Sequence, residues 1–232
     1  NASMVRSKTS SIGAFLRTIP SGSSVNRTEL TGVMMAGEKA QKMKKALIEA
    51  AYDVLRQDGI DSLTLDRVAA QAQASKGALT YHFRTKRDLH RAMIQHYIEH
   101  MDEEMKKYVG LFEGDEADVL AAGYIEWFKA FETNNRGWAQ VGLALLSHFA
   151  GDDEMIEPMR EWYRKLFSRI SALPEPRRTP ILVCVMTLEG FFYAHKFGLN
   201  FVAADLKKQL WPFLEKEVAK IRVKRKPYTV EY

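Results

Sequence analysis

Between residues 74 and 86 the chain reads ASKGALTYHFRTK. Lys76 and Lys86 bring positive charge, and Ser75, Thr80 and Tyr81 bring hydroxyls. His82 adds a second ring, while Gly77 and Ala78 have almost no side chain. Cations and hydroxyl donors bind phosphate oxygens. A helix with a slim leading turn fits a groove about 12 Å wide, the width of the major groove of B-DNA. The chemistry this segment suits is recognition of a polyanion. Lys76 projects a cation from the first turn toward a phosphate or a guanine edge, and Thr80 is the second candidate for reading bases. Tyr81 and His82 donate from the far end, with Lys86 adding charge just beyond it. Thr64, at the start of the preceding helix, can donate its hydroxyl to a phosphate where the helix dipole already favours an anion.

One other stretch could do chemistry. HYIEH, from His96 to His100, matches the H-x-x-E-H pattern of inverted zinc metallopeptidases, and two histidines at i and i+4 share a helical face. A five-residue match arises readily by chance. His90, Glu99, Glu103 and Glu104 around it suit a solvated linker helix. A metal- or ligand-sensing helical protein without specific DNA binding is therefore the alternative reading, with no residue assigned to a metal. The chain has no G-x-x-x-x-G-K-[ST] run, no strand-associated G-x-G-x-x-G and no G-x-S-x-G elbow, so no catalytic residue and no cofactor is expected.

Composition narrows the setting. Of 232 residues, 46% are hydrophobic and 27% charged, enough to bury a sizeable core. The single Cys184 excludes a disulfide framework and a cysteine zinc site, and favours a reducing cytoplasm. No apolar stretch reaches the roughly 18 to 20 residues that span a bilayer, so no membrane partner is expected. Residues 1–91 hold 15 Lys/Arg and 8 Asp/Glu (+7), and residues 92–232 hold 19 and 21 (−2). The polyanion-binding end is the front.

The elements that must position these groups read as helices throughout. Apolar residues from Met43 to Leu55 form one face of a helix over 38–57, and Gly59 suits its left-handed stop. Thr64 caps a short second helix, and Ser75 caps a third ending near His82. Leu79 points inward onto Leu47, Val54, Val68 and Phe83. A long fourth helix starts at Lys86 and runs to about Tyr108. Five more are expected near 116–133, 136–149, 152–172, 177–197 and 203–222. The domains so defined are a tag-like or disordered segment 1–37, a helix-turn-helix domain 38–85, a helical body 86–222 and a basic tail 223–232. Met34 or Met35 is a candidate native start.

From about Gln41 to Tyr97 the chain resembles the DNA-binding domain of the TetR family of transcriptional repressors. Thr64, Val68–Ala69, Ala72, Ser75–Leu79, Phe83, Lys86 and Leu89 carry the resemblance. The chain departs from the pattern at Gln73, where the family usually has Gly, and at Thr80, where an aromatic is common. The resemblance implies an all-α homodimer, with a three-helix head on a larger effector-binding and dimerisation body. It implies that the last two helices form a four-helix bundle across the two-fold axis. It implies a repressor of double-stranded operator DNA, released when a small molecule tilts the fourth helix. That tilt alters the head spacing a palindrome requires, about 34 Å or a multiple of it.

The body is rich in large rings, most of them core by composition. The candidates for the effector site are Trp127, Phe131, Trp138, His148, Phe149, Trp162, Glu189 and Tyr193, with His195 a further polar residue on an apolar stretch. An apolar or aromatic effector suits such a lining. Trp211 and Phe213, flanking Pro212, are expected as dimer anchors.

Overall fold

The computed structural model describes residues 27–134, 136–197, 199, 202–218 and 223–227. The chain divides into two compact units, Asn1–Lys45 and Ala46–Tyr232. Within the first, the described residues are the leading part of helix α1 (Arg27–Asp58), which begins eleven residues before the start read from its apolar face. Residues 27–37, expected to lack structure, are therefore helical. Residues 1–26 lie outside the described residues.

The second unit begins in the last turns of α1, where Leu47, Ile48, Ala50, Ala51, Tyr52, Val54 and Leu55 are buried. The helix stops at Gly59, whose φ of 80° is the left-handed conformation a Cβ disfavours. Helix α2 (Leu65–Gln71) is capped by the Thr64 hydroxyl, which accepts the Arg67 N–H at 3.2 Å. Helix α3 (Lys76–His82) is capped by Ser75, which accepts the Ala78 N–H at 3.1 Å. Helix α4 (Lys86–Val109) opens with a capping box between Thr85 and Asp88.

The body follows with α5 (Glu116–Asn134), α6 (Arg136–Phe149), α7 (Asp153–Ser171), α8 (Arg178–Lys196) and α9 (Ala204–Val218). Helices α7 and α9 each continue through a proline, Pro158 and Pro212. One core unites α4, α5, α7, α8 and α9, from Met105 on α4 through Tyr124 and Phe128 on α5 to Ile170 on α7, Leu188 on α8 and Leu214 on α9. Helix α5 runs very close to the end of α4. A Cβ on Gly123 would stand 2.6 Å from the Val109 Cα, nearer than real Cβ contacts come. Among the described residues no helix is long and apolar enough to cross a membrane.

Two short strands depart from the all-helical expectation. β1 (Phe112–Glu113) pairs antiparallel with β2 (Lys224–Arg225), and the Lys226 N–H donates to the Leu111 carbonyl at 2.8 Å. Two residues are too few to show alternation, and unpaired backbone groups of the loop after α4 draw the tail in. Lys224, Arg225, Lys226 and Pro227 are exposed, whereas Val223 packs against the core.

Candidate nucleic-acid interface and ligand cavity

The turn between α2 and α3 is built by backbone alone. The Gln73 N–H donates to the Ala70 carbonyl at 3.1 Å and the Ala74 N–H to the Ala69 carbonyl at 2.9 Å. This is a Schellman motif with Gln73 at its left-handed position, φ 51°. Gln73 thus adopts the conformation glycine would, at a strain of about 1 kcal/mol. The departure from the family pattern leaves the turn intact.

Helix α3 turns in Leu79, 1% exposed, and Phe83 at its end, 2% exposed, and Leu47, Val54 and Val68 are buried as well. With Leu79 turned in, the opposite side of the helix faces solvent. Thr64, Ser75, Lys76, Gly77, Thr80 and Tyr81 are exposed, and Ala78, His82 and Lys86 are half-buried. Tyr81 is 78% exposed and meets the His82 ring edge-on at 5.0 Å. A Cβ on Gly77 would meet nothing closer than the Ser75 hydroxyl at 4.0 Å, so nothing inside the chain demands a glycine there. Lys76 and Thr80 are already engaged, as are the two capping hydroxyls. The Lys76 ammonium lies 2.9 Å from Asp66, and the Thr80 hydroxyl donates to the Lys76 carbonyl at 2.8 Å. Thr80 therefore offers a groove its methyl and its oxygen lone pairs.

Where α4 begins, Arg87 reaches Asp152 at 2.6 Å and Glu154 at 3.0 Å, and Arg91 reaches Glu154 at 2.5 Å. These pairs tie the base of the head to the start of α7. His90 is not solvated as expected but 5% exposed, packed on Phe149 at 5.1 Å and near His148 at 6.0 Å. Its Nε2 has no hydrogen-bond partner among the described residues. Burial, and then the charges of Lys86, His148 and Arg87, lower its pKa from the ordinary 6.5 to about 4.

The H-x-x-E-H histidines serve packing. His100 stacks on Trp138 at 3.9 Å, and His96 Nδ1 lies 3.3 Å from the Tyr52 hydroxyl, which donates to the Met93 carbonyl at 2.6 Å. Among the described residues no group of three or more side chains could hold a metal ion.

A small cavity of about 20 Å³ lies in the body, lined by Tyr97, Met101, Tyr124, Trp127, Phe128, Tyr163, Glu189 and Phe192. Beside it an open groove of about 530 Å³ is lined by Leu146, Ile156, Met159, Arg160, Tyr163, Arg164, Phe167 and Tyr193. Of the expected effector residues, Trp127 and Glu189 line the cavity and Tyr193 the groove. Trp162 packs near Trp127, ring centres 6.3 Å apart. Trp138, His148 and Phe149 are not in the lining: Trp138 sits among Tyr52, His96, Tyr97 and His100, and the other two cover His90. Their helix faces turn toward α1 and the start of α4 instead. The side chains of Phe131 and His195 lie outside the described residues. Tyr97, Met101, Tyr124, Phe128, Tyr163 and Phe192 line the cavity outside the expected set.

Glu189 organises the cavity. It accepts hydrogen bonds from the hydroxyls of Tyr124 and of Tyr163, the latter at 3.0 Å, and the Tyr163 and Tyr193 oxygens lie 3.2 Å apart. Burial, reinforced by the Glu189 charge, holds the Tyr124 and Tyr163 hydroxyls well above the usual tyrosine range. Both stay donors at neutral pH.

Comparison with known proteins fits this layout. The chain is 26% identical over 99 residues to the HTH-type transcriptional regulator AcrR of Shigella flexneri, covering 43% of this chain and 46% of that protein. This match therefore spans about half the length of that relative. Among solved structures it shares its fold with the multidrug binding protein EbrR complexed with imidazole (TM-score 0.52, 24% identity, 80% of this chain and 97% of that one). A TetR family member, SCO1917 of Streptomyces coelicolor A3, is likewise similar (TM-score 0.56, 21% identity, 74% and 97%). The model of the bacterial regulatory proteins of the tetR family matches residues 47–93, and that of the tetracyclin repressor-like C-terminal domain matches residues 120–218. Head and body matching in order, the chain belongs to the TetR family.

Proposed function

We propose that the chain is a DNA-binding transcriptional regulator, a repressor that binds a palindromic operator as a homodimer and is released by a small molecule held in its body. The observation that carries this is the outer side of α3. A glycine with open space around it, a cation, two hydroxyls and a 78% exposed tyrosine stand on a helix braced from behind by Leu79. Glycine within a helix costs about 1 kcal/mol relative to alanine, and close approach of another backbone is a reason to retain it. Thr64, Ser75, Lys76, Gly77, Ala78, Thr80, Tyr81, His82 and Lys86 are assigned to the interface, with Lys76 and Thr80 reading bases.

Helices α8 and α9 support the homodimer. Leu182, Val183 and Met186 on α8 and Leu206 and Phe213 on α9 are exposed large apolar residues. Trp211 turns into the core cluster instead, which leaves Phe213 as the anchor. An apolar or aromatic effector suits the cavity lining, and the likeness in fold to a multidrug binding protein is in keeping with a ligand there.

A mobility-shift assay on DNA flanking the protein's own gene tests the reading. Retarded DNA is expected, and Lys86→Ala should flatten the dependence of log K on log salt by about one unit. Absence of any specific shift removes the DNA-binding reading. A monomer mass by light scattering at micromolar concentration removes the dimer.

A further inference from the structure

The positive charge at the front of the chain is not carried by the helix-turn-helix. Residues 46–91 hold 7 Lys/Arg and 6 Asp/Glu (+1), whereas residues 1–45 hold 8 and 2 (+6). Most cations of the head are also paired already: Arg56, Arg67, Lys76, Arg87 and Arg91 each meet an acid of the chain. Lys39, Lys42, Lys44 and Lys45, on the leading part of α1, are exposed, and among the described residues no acid pairs with any of them. This stretch lies ahead of the family match, which begins at residue 47.

Lys39, Lys42 and Lys45 recur every third residue. On a helix they stand about 60° apart round the axis and about 4.5 Å apart along it, a stripe about 9 Å long. One strand of DNA presents roughly three phosphates over that length. Like charges at this spacing repel one another, and a row of phosphates replaces that repulsion with attraction. Lys44 stands about 160° from Lys42, on the other side of the helix. Glu38, the one acid between residues 30 and 48, leaves the stripe net positive. We propose that Lys39, Lys42 and Lys45 form a sequence-independent contact to the DNA phosphate backbone, supplying the electrostatic attraction that the near-neutral head lacks. This rests on the DNA-binding reading above. Phosphates of a duplex suit the stripe better than an anionic membrane does. Its neighbours are Ala36, Gly37, Ala40, Gln41 and Met43, with no aromatic ring or leucine to enter a bilayer. Attraction and reading are thereby separated: the stripe strengthens binding to every duplex alike, and α3 chooses among them.

Fluorescence anisotropy of the full chain over a salt series tests this on two duplexes of equal length, one flanking the protein's own gene and one of unrelated sequence. Combining Lys39→Gln, Lys42→Gln and Lys45→Gln should weaken both by a common factor of about tenfold or more. The slope of log K against log salt should flatten by about 0.9 for each lysine engaged, and the ratio of the two affinities should stay within about twofold. Lys44→Gln removes the same charge from the other side and should change the slope by less than about half a unit. The triple substitution to Arg keeps the charge and should keep the slope. An unchanged slope in the Gln triple, a loss confined to the flanking duplex, or a flattening of about 0.9 by Lys44→Gln overturns the stripe. So does binding to phosphatidylserine–phosphatidylcholine vesicles that the Gln triple loses while its DNA binding is unaltered, which assigns the lysines to a membrane. A wild-type chain that binds neither duplex overturns the DNA-binding reading itself. Should the Gln triple lose helix by circular dichroism, Lys39→Gln and Lys42→Gln decide singly, each expected to flatten the slope by about 0.9.

Discussion

The ammonium of Lys76 lies 2.9 Å from a carboxylate oxygen of Asp66, the two side chains 78% and 73% exposed. The pair links the first turn of α3 to the first turn of α2 and occupies the cation assigned to a groove. Such an exposed pair contributes only about 0–1 kcal/mol, so a phosphate can displace the carboxylate. Asp66 is then a competitor at the interface. Asp66→Asn should tighten DNA binding by roughly two- to tenfold at low ionic strength, with the gain shrinking as salt screens it. Fluorescence anisotropy against a salt series reads this, and an unaltered affinity at low salt would show that Lys76 is not in the interface.

Gly77 opposes stability to function. A Cβ there meets open space, so Gly77→Ala should stabilise the folded chain by about 0.5–1 kcal/mol in a urea titration. On the proposed interface the same methyl would stand where the DNA backbone approaches, and affinity should fall several-fold. A variant that is more stable and binds just as well would remove the close-approach argument.

Gln73 holds a left-handed φ of 51° in the turn that aims α3. Gln73→Gly relieves about 1–2 kcal/mol of strain and gives back part of it as unfolded-state entropy. The net gain should be roughly 0.5–1 kcal/mol with DNA affinity unchanged, since the backbone bonds of the turn do not involve the side chain. A loss of stability would mean that the Gln73 side chain contributes more than its strain.

His90 makes the fold acid-sensitive. Its folded pKa of about 4 lies below the ordinary 6.5, so protons bind the unfolded chain more readily than the folded one. Its neutral form is fully stabilising above about pH 6.5, and that stability drains as pH falls toward 4. The loss is on the order of 2–3 kcal/mol for a side chain this buried. Lys86 and Arg87 on its own helix and His148 on α6 face it. His90→Leu should flatten the stability profile between pH 7 and 4.5. Parallel profiles for the two proteins would place the acid sensitivity elsewhere.

What the sequence discloses here is what local rules govern. Thr64 and Ser75 cap, Gly59 stops α1 and Leu79 turns inward, because each is decided within one turn of chain. The start of α1 escaped because Thr28, Thr31, Gly32 and Gly37 are weak helix formers, which obscures the helical spacing of Leu30, Val33 and Met34. The cavity escaped because membership depends on which faces of α4, α5, α7 and α8 meet. Choosing by ring size favoured Trp138 and Phe149, while periodicity held a better signal. Ile156, Met159, Tyr163, Leu166 and Ile170 recur at three- and four-residue steps on α7, as do Met93, Tyr97, Met101 and Met105 on α4. Trp162 stands about 100° round the helix from Tyr163, and that single step separates packing near the cavity from lining it.

The near-touching backbones at Gly123 and Val109 pin the last turn of α4, so a tilt of that helix would pivot there. The helix has 24 residues, an arm of about 36 Å. A swing of about 5° around that point carries its leading end, and the reading head joined to it, by roughly 3 Å. That approaches one base-pair step. On the proposed effector mechanism, small displacements in the body would thus be magnified at the nucleic acid, and bulk introduced at Gly123 would shift the hinge point before it touched either site.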